Sequence, residues 1–439
     1  MTFSSISFIY LYLPLAIIIF RLTPAHRRVA CLTLLSWCYY LLASVPAALI
    51  LAANCFLELY LARYPDKPGG YLAFAAKAVV VQVLVMAYSH WSPGASLGGF
   101  VYTATLIGYL WDHSRGKAGY FRSFWDYALF TTFFAKSYLG PVVRYDRFVP
   151  QFSQLRSSAT LISRGAVQFV IGLAKKVIIA DGAVILYQEL ASLPVEEYTF
   201  FSAWMLVFAA AMAIFFTISA YGDMARGLCS IFSLEVPRVI YYPYQAKSVV
   251  ECVSRINMPL YDLVVEIVSG SAERIRQLRR YRHADTRELI AVLAGVVVVG
   301  IWFDPVPQVL LWAGFLFLMV LAERYLYFWL FRYIPGLLQS AVTFGLFLFS
   351  LAPLVLSQFS NTGDLISVLL GFSAQRMISD ETSYYLASNY LVILLSLLFF
   401  TSLADRLTGF LSKKFPVASE WVIAVFNGSL LILTTALLV

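Results

Sequence analysis

Apolar runs that recur along the chain, almost free of charge, constrain what this sequence can fold into more than any other feature. Residues 200–220 carry no Asp, Glu, Lys or Arg at all. A helix of roughly 20 apolar residues crosses a hydrocarbon layer about 30 Å thick. Comparable runs read as helices at 5–20, 29–43, 47–62, 71–89, 120–139, 161–186, 200–220, 289–303, 308–330, 337–356, 384–403 and 421–439. Of 439 residues, 61% are hydrophobic and 13% charged, whereas soluble domains carry about 25% charged residues. The chain therefore reads as an all-α, multi-pass membrane protein. Secreted, fibrous, disordered and nucleic-acid-binding classes are excluded.

The net charge of +8 sits in short basic clusters between the apolar runs, where the positive-inside rule puts it. The loop with Arg21, His26, Arg27 and Arg28 is expected on the cytoplasmic side. So is the cluster Arg274, Arg276, Arg279, Arg280, Arg282 and Arg287. The first positive residue, Arg21, follows the first apolar run, which reads as an uncleaved span with the N-terminus extracytoplasmic. The Arg274–Arg287 cluster could anchor to the anionic leaflet or attract a phosphopantetheine or an acidic carrier protein. The five cysteines stand singly, with no CxxC pair and no metal-ligand spacing, so no metal site is expected. Phe and Tyr, abundant throughout, read as membrane packing and interfacial belts.

Without an internal repeat or a long linker, residues 1–439 read as one membrane domain. It comprises peripheral helices at 1–95, a core at 96–330 that bears the motifs described next, and C-terminal helices at 331–439. In two stretches, 99–151 and 221–270, short apolar pieces are interrupted by Gly, Pro and charge. Irregular backbone at membrane depth persists where protein or a water-filled cavity satisfies it, so these stretches read as lining a funnel or, alternatively, as interfacial helices and loops.

Four ordered segments carry a resemblance. Tyr109-Leu110-Trp111-Asp112-His113-Ser114-Arg115-Gly116 is the first, and the dodecapeptide running from Gly140-Pro141 through Arg144-Tyr145 to Pro150-Gln151 is the second. The third is Gly172-Leu173-Ala174-Lys175-Lys176-Val177-Ile178-Ile179-Ala180-Asp181. The fourth runs from Ser219-Ala220-Tyr221-Gly222-Asp223-Met224 to Tyr242-Pro243-Tyr244-Gln245-Ala246-Lys247-Ser248. Together these segments resemble the membrane-bound O-acyltransferases, in the branch that includes alginate O-acetyltransferase and the teichoic-acid D-alanyl transferase. The resemblance implies a ring of about eleven or twelve helices around a central funnel or tunnel, in a bacterial inner membrane. It implies no bound cofactor, but an acyl thioester donor, on acyl carrier protein or CoA, and an acceptor hydroxyl outside. Acyl-carrier protein, other envelope-modification subunits and membrane lipids are the partners implied, and nucleic acid is not among them.

The family's reaction centre carries two histidines, which suits the chemistry: a hydroxyl is a poor nucleophile until a base removes its proton. In this chain Asn257 and Phe303 occupy the positions of those histidines, and His26, His90, His113 and His283 lie elsewhere. Three readings follow. In one, Asp304 acts as a replacement base while Asn257 donates to an oxyanion, although Asp304-Pro305 is equally a turn signature. In another, the chain is a non-catalytic scaffold whose Arg144, Lys176, Asp223 and Lys247 bind substrate or pair with one another. In a third, Lys77, Asp223, Glu323 and Arg324 serve a transporter, where snorkelling explains Glu323 and Arg324 as well. The funnel residues implied by the resemblance are Arg144, Lys176, Tyr221, Asp223, Tyr244, Lys247, Arg255 and Trp302.

Overall fold

Every regular element among the described residues is helical, as the composition demands, because in hydrocarbon each backbone N–H and C=O must be satisfied within its own segment. The computed structural model describes residues 1–49, 51, 52, 55, 98–119, 123–194, 197–274, 284–303, 307–327, 333–355, 362–372, 377–400, 414 and 416–438. In chain order the principal helices are α1 (Leu13–Leu22), α2 (Arg28–Ala43), α3 (Gly99–Ser114), α4 (Phe124–Thr132), α5 (Ala159–Ala174), α6 (Asp181–Ala191) and α7 (Phe200–Ile231). They continue with α8 (Val249–Ser254), α9 (Met258–Arg274), α10 (Ala284–Phe303), α11 (Pro307–Ala322), α12 (Gly336–Ser350), α13 (Asp380–Ser388), α14 (Tyr390–Phe400) and α15 (Pro416–Leu438).

Among the described residues three helices are long and apolar enough to cross a membrane: Phe200–Ile231, Val309–Leu326 and Gly336–Val355. The pair Asp380–Ser388 and Tyr390–Phe399, bent by 63°, makes a fourth if it counts as one span. The expected span at 120–139 is not one helix. Its described part ends as helix at Thr132 and re-forms only as a short 3-10 turn, Phe134–Lys136. Conversely, the stretch from Tyr221 begins as regular helix, since α7 runs on to Ile231. Met224, Ala225, Leu228 and Cys229 are all fully buried there, so the apolar face that holds the helix does not stop at Ala220. The expected runs at 47–62 and 71–89 lie outside the described residues for all or most of their length.

The chain divides into two compact units. The first holds Met1–Leu173, Tyr221–Arg238 and Thr435–Val439, and the second Ala174–Ala220 and Val239–Thr434. The first unit is built on aromatic side chains. Phe3, Phe8, Tyr39 and Phe134 are fully buried, with ring centroids between 5.1 and 6.4 Å apart where they touch. Buried phenols need partners, and these have them: Tyr12 donates to Leu35 O at 2.7 Å, and Tyr39 to Met1 O at 3.1 Å. In the second unit a core of Ile179, Ala180, Ala183, Met212, Phe215 and Phe216 receives Tyr244, Val392 and Phe399.

Candidate functional site

The first two sequence segments meet inside the first unit. Asp112, in the last turn of α3, is buried, and Arg144 grips its carboxylate with two nitrogens, Nε donating to Oδ2 at 2.8 Å and Nη2 to Oδ1. A guanidinium matches a carboxylate in this two-pronged way through its planar fork. The rings of Tyr109 and Tyr145, one from each segment, lie 5.4 Å apart. His113 is engaged locally, with its Nδ1 2.9 Å from Ala118 O. Arg115 lies over Trp111, 4.4 Å from the ring centre.

The third segment contains a π-helical turn, Lys175–Ala180, between α5 and α6. A π-turn brings residues five apart onto one face, and Lys176 Nζ meets the Asp181 carboxylate across it. Lys175 reaches Ser219 Oγ of the fourth segment at 3.2 Å. Within the same helix as that serine, Asp223 lies 3.9 Å from Arg226, and the Tyr221 ring stacks on Tyr138 at 5.1 Å. Arg144 thus pairs with Asp112, Lys176 with Asp181 and Asp223 with Arg226.

In the second unit the chain from Val239 to Asn257 folds back on itself. Tyr241 N–H donates to Arg255 O at 3.0 Å, and Met258 N–H to Val239 O at 2.9 Å. Between them Tyr242 sits at φ 43°, a left-handed conformation unusual for a bulky residue. Arg255 holds that turn by donating Nη1 to Tyr242 O at 3.1 Å and pairing with Glu251. The other Glu251 oxygen accepts Lys247 N–H at 2.8 Å, and Ser248 caps α8 through Glu251 N–H at 3.0 Å. Glu323, read from sequence as snorkelling or transport, instead accepts Val249 N–H at 2.7 Å at the start of α8, where a helix end favours negative charge. Tyr244 packs on Phe215 at 5.7 Å and donates to Phe399 O at 3.3 Å.

Asn257 ends this fold-back. It is wholly buried, and its Oδ1 accepts Leu260 N–H at 3.4 Å, so it caps the start of α9. Met258-Pro259 follow it, Pro being favoured in the first turn, so the cap signal is local to the sequence. The cap uses the oxygen alone. Nδ2 is buried with no hydrogen-bond partner among the described residues, a state that costs on the order of 1–3 kcal/mol and calls for a reason. Cys252, in α8, is also buried, and burial pushes its thiol up in spite of the neighbouring Arg255, which leaves it unsuited to act as a thiolate.

Trp302, near the end of α10, is buried. Phe303 is the last residue of α10, its side chain lying outside the described residues, as does the whole of Asp304. Among the described residues no cluster of His, Cys, Asp and Glu could hold a metal. A groove of about 280 Å³ lined by Trp204, Met205, Phe208, Leu348, Leu386 and Ile393 is apolar. Its one hydroxyl, Thr382, is bonded to Ser379 at 2.8 Å.

No family model matches the chain. The chain is similar to a probable alginate O-acetylase of Pseudomonas fluorescens, 26% identical over 263 residues, which cover 57% of this chain and 53% of that protein. It is similar to another probable alginate O-acetylase, from Azotobacter vinelandii, 24% identical over 343 residues, 72% of this chain and 67% of that one. A peptidoglycan O-acetyltransferase of Helicobacter pylori is 30% identical over 165 residues, 36% of this chain and 31% of its own length. The matched region thus spans between about one third and two thirds of these relatives.

Proposed function

We propose, from the premise that this chain belongs to the polysaccharide-acylating branch of the membrane-bound O-acyltransferases, that it takes part in moving an acetyl group from a thioester donor to a hydroxyl of an envelope or exported polysaccharide. The names of its relatives support the reaction class. The observation that carries the reading on this chain's own residues is the buried Asn257 Nδ2, without a hydrogen-bond partner among the described residues and held at the end of a fold-back that Arg255 and Glu251 lock.

In this reading the acceptor oxygen attacks the thioester carbonyl, a C–O bond forms and the C–S bond breaks, and the proton lost by the hydroxyl leaves with the thiol. Negative charge gathers on the carbonyl oxygen in between, and a preorganised N–H aimed at that oxygen lowers the barrier. Asn257 Nδ2 supplies such a donor. Asp304, at a position known only from sequence, is the base this reading assigns. The donor is a thioester on an acyl-carrier protein or CoA, other envelope-modification subunits are partners, and the helices form a ring around a funnel in the bacterial inner membrane with the N-terminus outside. If the chain is instead a non-catalytic subunit, the same Asn257 amide binds donor or acceptor without turnover. Glu323 accepts Val249 N–H at the start of α8, which supports a structural role for it.

The test is acetyl transfer from a thioester donor by the purified protein with Asn257→Ala and Asp304→Ala. Loss of a measurable parent activity in both supports a replaced centre. Parent activity that survives both substitutions overturns it. No parent activity together with a copurifying carrier protein or membrane subunit establishes the scaffold form.

A further inference from the structure

The apolar groove of the second unit lies in the angle of a broken span. Helices α13 and α14 meet at 63°, and Asn389 closes the end of α13 by donating Nδ2 to Tyr385 O at 3.2 Å. Leu386 of α13 and Ile393 of α14 line the groove from the bent pair, Phe201, Trp204 and Phe208 from α7, and Leu348 from α12. The start of α13 is pinned to the start of α7, Thr382 Oγ1 lying 3.3 Å from Thr199 Oγ1 and 2.8 Å from Ser379 Oγ. The bend leaves a wedge between the pair and α7, and the groove is that wedge. Phe201 and Leu386, its lips, are exposed, so it opens on the surface that hydrocarbon surrounds.

The lining and the rim ask for different things. Along the lining the one hydroxyl, Thr382, is already bonded, so a polar ligand would leave its own groups unpaired and hydrocarbon would not. The volume is about 280 Å³. At roughly 30 Å³ for each water-sized group, that is a run of about nine methylenes. At the rim, Asp380 and Glu381 precede Thr382 in the first turn of α13, and Glu197 stands three residues before α7 begins. All three are exposed, and among the described residues no ion pair holds any of them. The charges of Glu189, Glu197 and Glu381 all reach the phenol of Tyr385, which precedes Leu386 in α13. Residues 177–225 and 377–404 contain no Lys or Arg, so neither α7 nor the bent pair supplies a cation here. The charge-free stretch of α7 begins at Phe200, which places these acids at the headgroup level.

We propose that the groove holds one acyl chain of a phospholipid whose headgroup carries an amine, as in phosphatidylethanolamine, with the ammonium drawn to Glu197, Asp380 and Glu381. The inference is independent of the acyl-transfer reading. Hydrocarbon gains little by leaving other hydrocarbon, so the fit of the chain to the wedge holds it there. Charge then selects the headgroup: the acids that attract an ammonium repel a lipid of net negative charge.

The experiment uses the full chain, stripped of lipid in an uncharged detergent. Thermal melting and native mass spectrometry are followed with didecanoyl phosphatidylethanolamine, phosphatidylglycerol and diacylglycerol. Phosphatidylethanolamine is expected to raise the melting temperature and stay bound, and phosphatidylglycerol to bind about fivefold more weakly or worse, the effect of about one charge near a surface. Leu386→Trp, at an exposed lip, fills the wedge and is expected to weaken phosphatidylethanolamine binding by about tenfold or more, with parental melting in the absence of lipid. Glu197→Gln/Glu381→Gln is expected to erase the preference over phosphatidylglycerol while a chain still binds. The proposal is overturned if no lipid shifts the parent, if phosphatidylglycerol or diacylglycerol binds as tightly as phosphatidylethanolamine, or if Leu386→Trp binds it like the parent. A copurifying protein that Leu386→Trp releases also overturns it, because the occupant is then a polypeptide. Should Leu386→Trp fail to fold, the Glu197→Gln/Glu381→Gln variant, altered only at exposed positions, decides: an unchanged headgroup preference overturns the proposal.

Discussion

The Asp112–Arg144 pair of the first unit and the Asn257 fold-back of the second are both assembled from residues of the acyltransferase-like segments or next to them, yet they end in opposite states. In the first, a buried carboxylate and a guanidinium pair through two hydrogen bonds. In the second, Arg255, Glu251, Ser248 and Glu323 bond to backbone or to one another, and the Asn257 amide N–H has no partner among the described residues. Residues of one motif set thus divide into those that hold the backbone and one whose amide donor the proposed acyl transfer draws on. The contrast predicts different failures.

The largest effect is expected from Arg144→Ala. Asp112 is left buried and charged, and removing one partner of such a pair costs about 3–5 kcal/mol. The expected outcome is a protein that no longer yields a folded peak in detergent, or melts far below the parent. Arg144→Lys, which loses the fork, is expected to recover only part of the loss. An Arg144→Ala protein as stable as the parent would remove the structural half of the contrast. For Asn257 the prediction is the reverse. Serine caps a helix as well as asparagine but has no amide, so Asn257→Ser is expected to keep stability within about 1 kcal/mol while acetyl transfer falls by about 10²–10³. Parallel loss of stability and activity would show that Asn257 is only a cap.

How far this contrast could be read from sequence depends on distance along the chain. The Asn257-Met258-Pro259 cap is local and legible, an asparagine followed by proline in the first helical turn. Asp112 and Arg144 are 32 residues apart in sequence, so no periodicity pairs them, and the link appears only in three dimensions. Lys176 and Asp181 fail for another reason. Five residues apart, they fall on different faces of a 3.6-residue helix, and only the π-turn brings them together. The membrane class, by contrast, follows from hydrocarbon's intolerance of unpaired backbone, which is why the long apolar stretches were readable where loops and breaks were not. The break after Thr132 lies inside an apolar run, where composition carries no stop signal.

Two smaller effects sharpen the boundary between holding and chemistry. Glu323→Leu leaves Val249 N–H without its carboxylate at a helix start, and the loss is expected at about 1–2 kcal/mol, measured as a lowered melting temperature. Because α8 leads into Arg255 and Asn257, the same variant is expected to lower acetyl transfer. An unchanged melting temperature would mean the contact contributes nothing to locking the fold-back. Lys176→Met is expected to matter least. The Asp181 side chain is 44% exposed, so water solvates the carboxylate once its partner is gone, and a pair of this kind contributes about 0–1 kcal/mol. Nearly parental melting with parental acetyl transfer is the expected result, and the reason is the π-turn: its backbone bonds and the buried Ile179 and Ala180 hold the segment whether or not the lysine spans it. A fall in activity without a fall in stability would instead move Lys176 from the holding residues to the site.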